Sequence, residues 1–262
     1  MAQLQQEMTL EQAWEIFFTT APAQEFKQRD REILAQGENF EIAFSGRQLA
    51  ATSWGSGPTV LLAHGWGGHR AQLGAFVAPL TAAGRRAVAV DLPAHGDNPG
   101  KQTNLFEMRD ALLDVAEQHG PIEAVLAHSL GGLVNLMALD AGLETTKVVQ
   151  FGTLRSGQDA VERFFHIIQA PEAIRQPFWG RMESKFGEDI RSKTNGPAIA
   201  AKLSIPALLF HDRNDEVTPF SDSRSIAEAW PESKLVPMEG LSHRRILRDP
   251  ETIGIAVDFI RA

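Results

Sequence analysis

Ser129 stands in the local setting of this chain that best suits a hydroxyl to attack a carbonyl. An apolar run, Ala124-Val125-Leu126-Ala127, reads as a buried strand, His128-Ser129-Leu130-Gly131-Gly132 follows, and then Leu133, Val134, Leu136, Met137 and Leu139 recur at helical spacing. A strand that turns sharply into a helix at a serine thrusts its Oγ outward. So tight a turn leaves room only for small residues two positions to either side. Ala127 and Gly131 are those residues. The local pattern is weak alone, since Ala51-Thr52-Ser53-Trp54-Gly55 matches it equally well. That stretch runs on into Gly55-Ser56-Gly57-Pro58, a turn that no helix can follow closely, so Ser53 is set aside.

A nucleophilic serine needs a base, the base needs an orienting acid, and the developing oxyanion needs fixed donors. For the base, His243 lies in the turn Gly240-Leu241-Ser242-His243, after a last strand pattern at Leu235-Val236. It is the last histidine of the chain, downstream of both serine and acid. The acid comes from Phe210-His211-Asp212-Arg213-Asn214-Asp215-Glu216, directly after a buried strand pattern, where a parallel sheet presents functional side chains. Asp215 is chosen over Asp212, which sits close enough to the strand end to shape the turn or face solvent, and over Glu216, which is expected to face water. His64-Gly65-Trp66-Gly67-Gly68 also follows a strand pattern, and its glycines expose backbone N–H groups. It lacks the Lys-Ser or Lys-Thr of a P-loop. The backbone amides of Trp66 and Leu130 are therefore the expected oxyanion donors.

Taken together these residues resemble the α/β-hydrolase superfamily, in the chain order Ser129, Asp215, His243, over roughly Phe40 to Ala262. The likeness rests on the His64-Gly65-Trp66-Gly67 loop, on Asp91-Leu92-Pro93-Ala94-His95-Gly96, on the serine turn, and on the acid and histidine loops. Two positions depart from the family: Ala127 replaces a glycine, and Asp212 stands where glycine is usual before the acid. The resemblance implies a serine esterase-like enzyme working through an acyl-enzyme with no cofactor, and the short insertion between Gly152 and Ser204, dense in Phe, Ile and Trp, leads us to expect short- to medium-chain carboxylic esters as its substrates. Carbon-carbon hydrolase, thioesterase, perhydrolase and aminopeptidase activities run on the same scaffold, and a low-turnover ligand receptor with an intact triad is the non-enzymatic rival. An aminopeptidase would need acids such as Glu172, Glu183, Glu188 or Asp189 to hold the substrate amine.

The loops must be carried to one edge by a scaffold, and the rhythm of the chain supplies it. Phe40 to Phe44 and Gln48 to Ala51 read as a hairpin about Ser45-Gly46. Apolar runs at Val60 to Ala63, Ala87 to Val90, Ala124 to Ala127, Val148 to Phe151 and Ala207 to Phe210 then alternate with helical patterns such as Asn104 to Gln118. That alternation predicts an α/β fold with a mostly parallel sheet covered on both faces. The α/β-hydrolase core is expected over 38–151 and 204–262. Residues 152–203 interrupt it with helical and loop patterns and read as a helical cap. Phe164, Phe165, Phe178 and Trp179 are the expected pocket residues of that cap. Residues 1–37 form a helical arm: Thr9-Leu10-Glu11-Gln12 fits a capping box, Pro22 limits the first helix, and a weaker second helix ends near Gly37. The arm must bury Leu10, Trp14, Phe17 and Phe18, by packing on the core, covering the site, or pairing with a second copy as a homodimer.

Composition bounds the partners. The chain has 262 residues and a formal charge of -8, which argues against a nucleic-acid backbone as partner and leaves a small-molecule ester as the expected one. Met1 to Glu7 lacks the basic and apolar segments of a signal peptide, and no apolar stretch is long enough to span a membrane, so a cytoplasmic location is the expectation. Cysteine is absent, excluding disulfides, and the histidines lack the spacing of a metal site.

Overall fold

The computed structural model describes residues 8–20 and 26–262. Pro22 and the Met1 to Glu7 segment lie outside the described residues. Two helices, α1 (Leu10–Phe18) and α2 (Gln28–Leu34), precede the hairpin of β1 (Glu38–Phe44) and β2 (Arg47–Trp54). Thr9 opens α1 as its sequence implies, its Oγ1 accepting from the Gln12 N–H at 3.2 Å while the Gln12 side chain accepts from the Thr9 N–H at 2.9 Å.

Strand and helix then alternate through β3 (Thr59–Ala63), α3 (Val77–Ala82), β4 (Arg86–Val90), α4 (Leu105–His119), β5 (Ile122–His128), α5 (Leu130–Asp140) and β6 (Lys147–Phe151). Between β6 and the next strand come helices alone: α6 (Gly157–Ile167), α7 (Glu172–Phe186), α8 (Ile190–Lys193) and α9 (Gly196–Ala200). The chain closes with β7 (Ala207–Asp212), α10 (Phe220–Ala229), β8 (Ser233–Met238), α11 (Ser242–Arg245) and α12 (Pro250–Arg261).

The eight strands form a single sheet in the order β1-β2-β4-β3-β5-β6-β7-β8. Strand β2 runs antiparallel to β1 and β4, and the other neighbours are parallel. Side chains alternate between the two faces with the strand period. Leu61 and Ala63 enter a core with Met108, Leu112, Leu133 and Leu136 of α4 and α5, whereas Val60 and Leu62 enter the opposite one with Val77, Leu80, Val257 and Ile260 of α3 and α12. From β3 the chain moves out to β4 and then returns to β5 on the other side. The order reverses between β3 and β5, which opens a crevice at their carboxyl ends.

A third cluster joins α1 to the intervening helices. Ala13, Trp14 and Phe18 pack with Val161, Phe165, Phe178, Trp179 and Met182. The aromatic face of the arm is thus buried against α6 and α7, not against the sheet layers.

Candidate active site

The loops singled out in the sequence leave the carboxyl ends of β3, β5, β7 and β8 and meet at this crevice. Ser129 has φ 56° and ψ -124°, a left-handed conformation that a residue with a side chain adopts only when its surroundings enforce it. Here the Ser129 N–H donates to the Phe151 carbonyl at 2.8 Å, and α5 begins at the next residue. A Cβ on Gly131 would fall against the His64 carbonyl, so the small residue after the serine is imposed by the neighbouring loop.

His243 lies in α11 with Nε2 2.9 Å from Ser129 Oγ and Nδ1 2.7 Å from Asp215 Oδ2. A carboxylate only accepts, so the imidazole proton sits on Nδ1 and Nε2 is left to accept from the serine hydroxyl. The other Asp215 oxygen accepts from the Val217 and Thr218 amides at 2.8 and 3.0 Å. Burial pushes the Asp215 carboxyl up, but hydrogen bonding by His211 and His243, the charge His243 can carry, and the Thr218 amide outweigh it and hold the group well below the usual carboxylate range.

Three neighbours act on this line without belonging to it. His211, buried beside the acid, points Nε2 at the Thr218 carbonyl at 2.9 Å and lies 3.5 Å from Asp215 Oδ2, while Ser223 Oγ sits 2.7 Å from its Nδ1. His128 sets its Nε2 2.9 Å from the His243 carbonyl, and burial, reinforced by the nearby His243, lowers its pKa to about 3. Asp212 neither faces solvent nor only shapes its own turn. It is buried, Oδ1 accepts from the Asn214 amide at 2.8 Å, and Oδ2 accepts from the amides of Leu241 and Ser242. One carboxylate therefore ties the acid loop to the histidine loop and holds Ser242, itself left-handed at φ 57°, directly before His243.

The His64-Gly65-Trp66-Gly67 loop passes close to the serine. A Cβ on Gly65 would lie 3.0 Å from Ser129 Cβ, so this backbone approaches Ser129 as only glycine permits. Gln72 Oε1 accepts from the Gly65 amide at 2.9 Å, and His64 Nε2 accepts from the Leu92 amide at 3.0 Å. Asp91 accepts from the Arg70 and Asp97 amides at 2.6 and 2.9 Å and pairs with the Arg70 guanidinium, bracing the loop from beneath. Trp66 and Leu130 both border the pocket, and among the described residues neither backbone N–H meets a protein acceptor.

That pocket has a volume of about 340 Å³ and contains Ser129 in its lining. Phe164 and Trp179 stand on its wall, as expected. Phe165 and Phe178 do not: both are fully buried and pack edge to face with ring centroids 5.1 Å apart, Phe178 also against Trp14 at 5.3 Å. They hold the arm to the cap, since neighbouring positions on a helix face different ways. The rest of the apolar wall includes Ile16, Phe17 and Phe18 of α1 and Leu105 and Phe106 at the start of α4, and of the three roles open to the arm it takes up packing on the cap beside the pocket. The helical stripe of α1 was legible as a stripe, but not what it would face.

No three His, Asp or Glu side chains converge as metal ligands among the described residues. Among the same residues no helix is long and apolar enough to cross a membrane.

A reversing, mostly parallel sheet whose carboxyl edge gathers a serine, a histidine and an acid from separate loops defines an α/β hydrolase. The chain belongs to the alpha/beta hydrolase family, whose model matches residues 60–253, and it is a hydrolase of that fold. A pimeloyl-[acyl-carrier protein] methyl ester esterase of Chromobacterium violaceum is 28% identical over 253 residues, covering 82% of this chain and 96% of the relative. Among solved structures, an esterase from Exiguobacterium antarcticum superposes with a TM-score of 0.66 at 19% identity, covering 86% of this chain and 100% of the other. A bromoperoxidase from Bacillus anthracis does so with a TM-score of 0.63 at 17% identity, covering 85% and 99%. Likeness at those identities speaks for the fold alone.

Proposed function

We propose that this protein hydrolyses short- to medium-chain carboxylic esters through an acyl-enzyme formed on Ser129. The observation that carries this reading is the hydrogen-bonded line from Ser129 through His243 to Asp215, opening on an apolar pocket. His243 Nε2 takes the proton as Ser129 Oγ bonds to the ester carbonyl carbon, and the amides of Trp66 and Leu130 receive the oxyanion. The tetrahedral adduct collapses, the carbon-oxygen bond to the alcohol breaks, and His243 returns the proton to the leaving alkoxide. Water, deprotonated by His243, then attacks the acyl-enzyme, and Ser129 leaves with the proton. Asp215, held ionised, keeps the imidazole in the tautomer that each step needs and stabilises its cationic form.

The name of the Chromobacterium relative, a methyl ester esterase, agrees with ester chemistry. An aminopeptidase activity finds less support. Glu172, Glu183 and Asp189 pair with Arg175, Arg191 and Lys193 at 3.1, 3.4 and 2.9 Å, and neither they nor Glu188 line the pocket.

The test is a side-by-side panel of nitrophenyl esters, thioesters, amides and vinylogous diketones under steady-state conditions. Sustained nitrophenol release, strongest for short and medium acyl chains, is the expected result. Faster turnover of another class would replace the ester assignment, and binding without turnover would make the protein a receptor.

A further inference from the structure

Helix α1 lies outside the segment that matches the family, yet it forms a wall of the pocket that holds Ser129. Residues turned away from that pocket share in attaching it. Trp14, buried, packs at a tilt against Phe178 and carries the Arg181 guanidinium 4.3 Å from its ring centroid, while Glu11 pairs with the same arginine at 2.5 Å. At its carboxyl end the chain is fastened again: the Phe18 carbonyl accepts from the Thr103 amide at 3.1 Å, and the Thr20 amide donates to the Lys101 carbonyl at 2.8 Å. Anchors at both ends leave Ile16 and Phe17 on the face turned to the pocket.

Those two side chains are incompletely buried. Phe17 sets its ring edge-on to Phe164 of α6 with centroids 5.1 Å apart, so the pair bridges the seam between arm and cap. Ile16 is 48% exposed, and it shares the pocket lining with two other exposed apolar residues, Ile167 at 78% and Val217 at 59%. They come from three separate elements: α1, the end of α6, and the loop that carries Asp215. Large exposed apolar side chains grouped around a pocket opening lose contact with water when an apolar ligand enters, and that burial favours such a ligand.

We infer that α1 is part of the substrate site, with Phe17 a specificity-determining residue that limits the acyl group and Ile16, Ile167 and Val217 an apolar rim that receives the portion of the ester lying outside the pocket. The inference rests on the proposed ester chemistry and adds to it a substrate class: esters apolar on both sides of the scissile bond. Selectivity then comes from a segment that precedes the part of the chain matched by the family, and changes in α1 alter which ester is taken without altering the reacting groups.

Two readouts test it on the full chain: kcat/KM over nitrophenyl esters of increasing acyl length, and the rate at which alkyl fluorophosphonates of increasing length label Ser129. Phe17→Ala should move both optima toward longer chains, with about a fourfold gain for each methylene newly housed. Phe17→Leu should move them less and in the same direction. Glu15→Ala, on the exposed side of α1, should reproduce the wild-type profile. A folded Phe17→Ala protein, checked by circular dichroism, whose profile is unchanged or uniformly lowered at every length would overturn the inference. Should Phe17→Ala not fold, the same criteria apply to Phe17→Leu. If the wild-type protein cleaves none of the esters, the ester reading fails, and the fluorophosphonate profiles alone decide whether α1 is part of the site.

Discussion

At Ser129 the backbone conformation is the deciding fact. Ser53, which has the same small-residue surroundings in sequence, sits within β2 paired to Val88 and Glu38, and the next element is the strand β3, not a helix. Ser129→Ala should therefore lower turnover by about 10⁴ or more, and Ser53→Ala should not remove fluorophosphonate labelling. Labelling that persists in Ser129→Ala would identify another nucleophile. The two buried aspartates of the acid loop separate in the same way. Asp215→Asn removes the group that fixes the His243 tautomer and should cost several orders of magnitude in kcat. Asp212→Asn keeps one acceptor of two and loosens the brace to Leu241 and Ser242, so a loss on the order of tenfold is expected, chiefly in kcat. An Asp212→Asn enzyme as crippled as Asp215→Asn would give the orienting role to Asp212.

The helices α1, α6 and α7 supply much of the apolar wall of the pocket. Phe164 and Trp179 reach the wall, whereas Phe165 and Phe178 fill the seam between α1, α6 and α7. The same substitution should thus have opposite consequences at adjacent positions. Phe164→Ala opens the pocket and should shift the acyl optimum to longer esters with modest loss of stability, because its ring is only partly buried. Phe165→Ala leaves a cavity in a packed cluster and should lower the unfolding free energy by about 3 to 5 kcal/mol. Acyl-length profiles and urea denaturation of both variants check the distinction. Equal stability losses with no change in either profile would count against this division of the two rings.

Across the molecule, acid sensitivity follows from histidines buried in the neutral form. His64 and His128 both have their pKa lowered by burial, His128 to about 3. The unfolded chain takes up a proton on each near its ordinary value of about 6.5, so below that pH it binds more protons than the folded one, down to about pH 3 in the case of His128. The associated stability is complete above about pH 6.5 and is lost as pH falls, at up to about 1.4 kcal/mol per pH unit for each histidine. Urea midpoints should fall between pH 7 and pH 5, and His128→Gln should flatten that fall. A His128→Gln slope identical to wild type would show that His128 does not contribute. Asp91 works the other way: burial raises its pKa despite Arg70, so its ionised form costs stability at neutral pH and offsets part of the histidine effect.

Much of this architecture is local and so is written in the chain. The period of the apolar runs located β3 to β7, the small residues about Ser129 fixed the turn, and Thr9 with Gln12 set the start of α1. These depend on contacts between near neighbours, and a one-dimensional pattern carries them. The parallel sheet followed from alternation, and the serine, the acid and the histidine followed from their places after strand ends. What lay beyond the sequence required distances between segments far apart in the chain. Asp212 was legible as a departure from the family, but its partners are the Leu241 and Ser242 amides of another loop. Phe164 and Phe165 are neighbours of the same type, and only the direction in which α6 presents each ring against α7 and α1 separates a pocket wall from a packed seam. The stripe on α1 showed that its aromatics must be buried. Hydrophobic burial has no direction, so the tertiary structure alone decided that they would cover the pocket above Ser129.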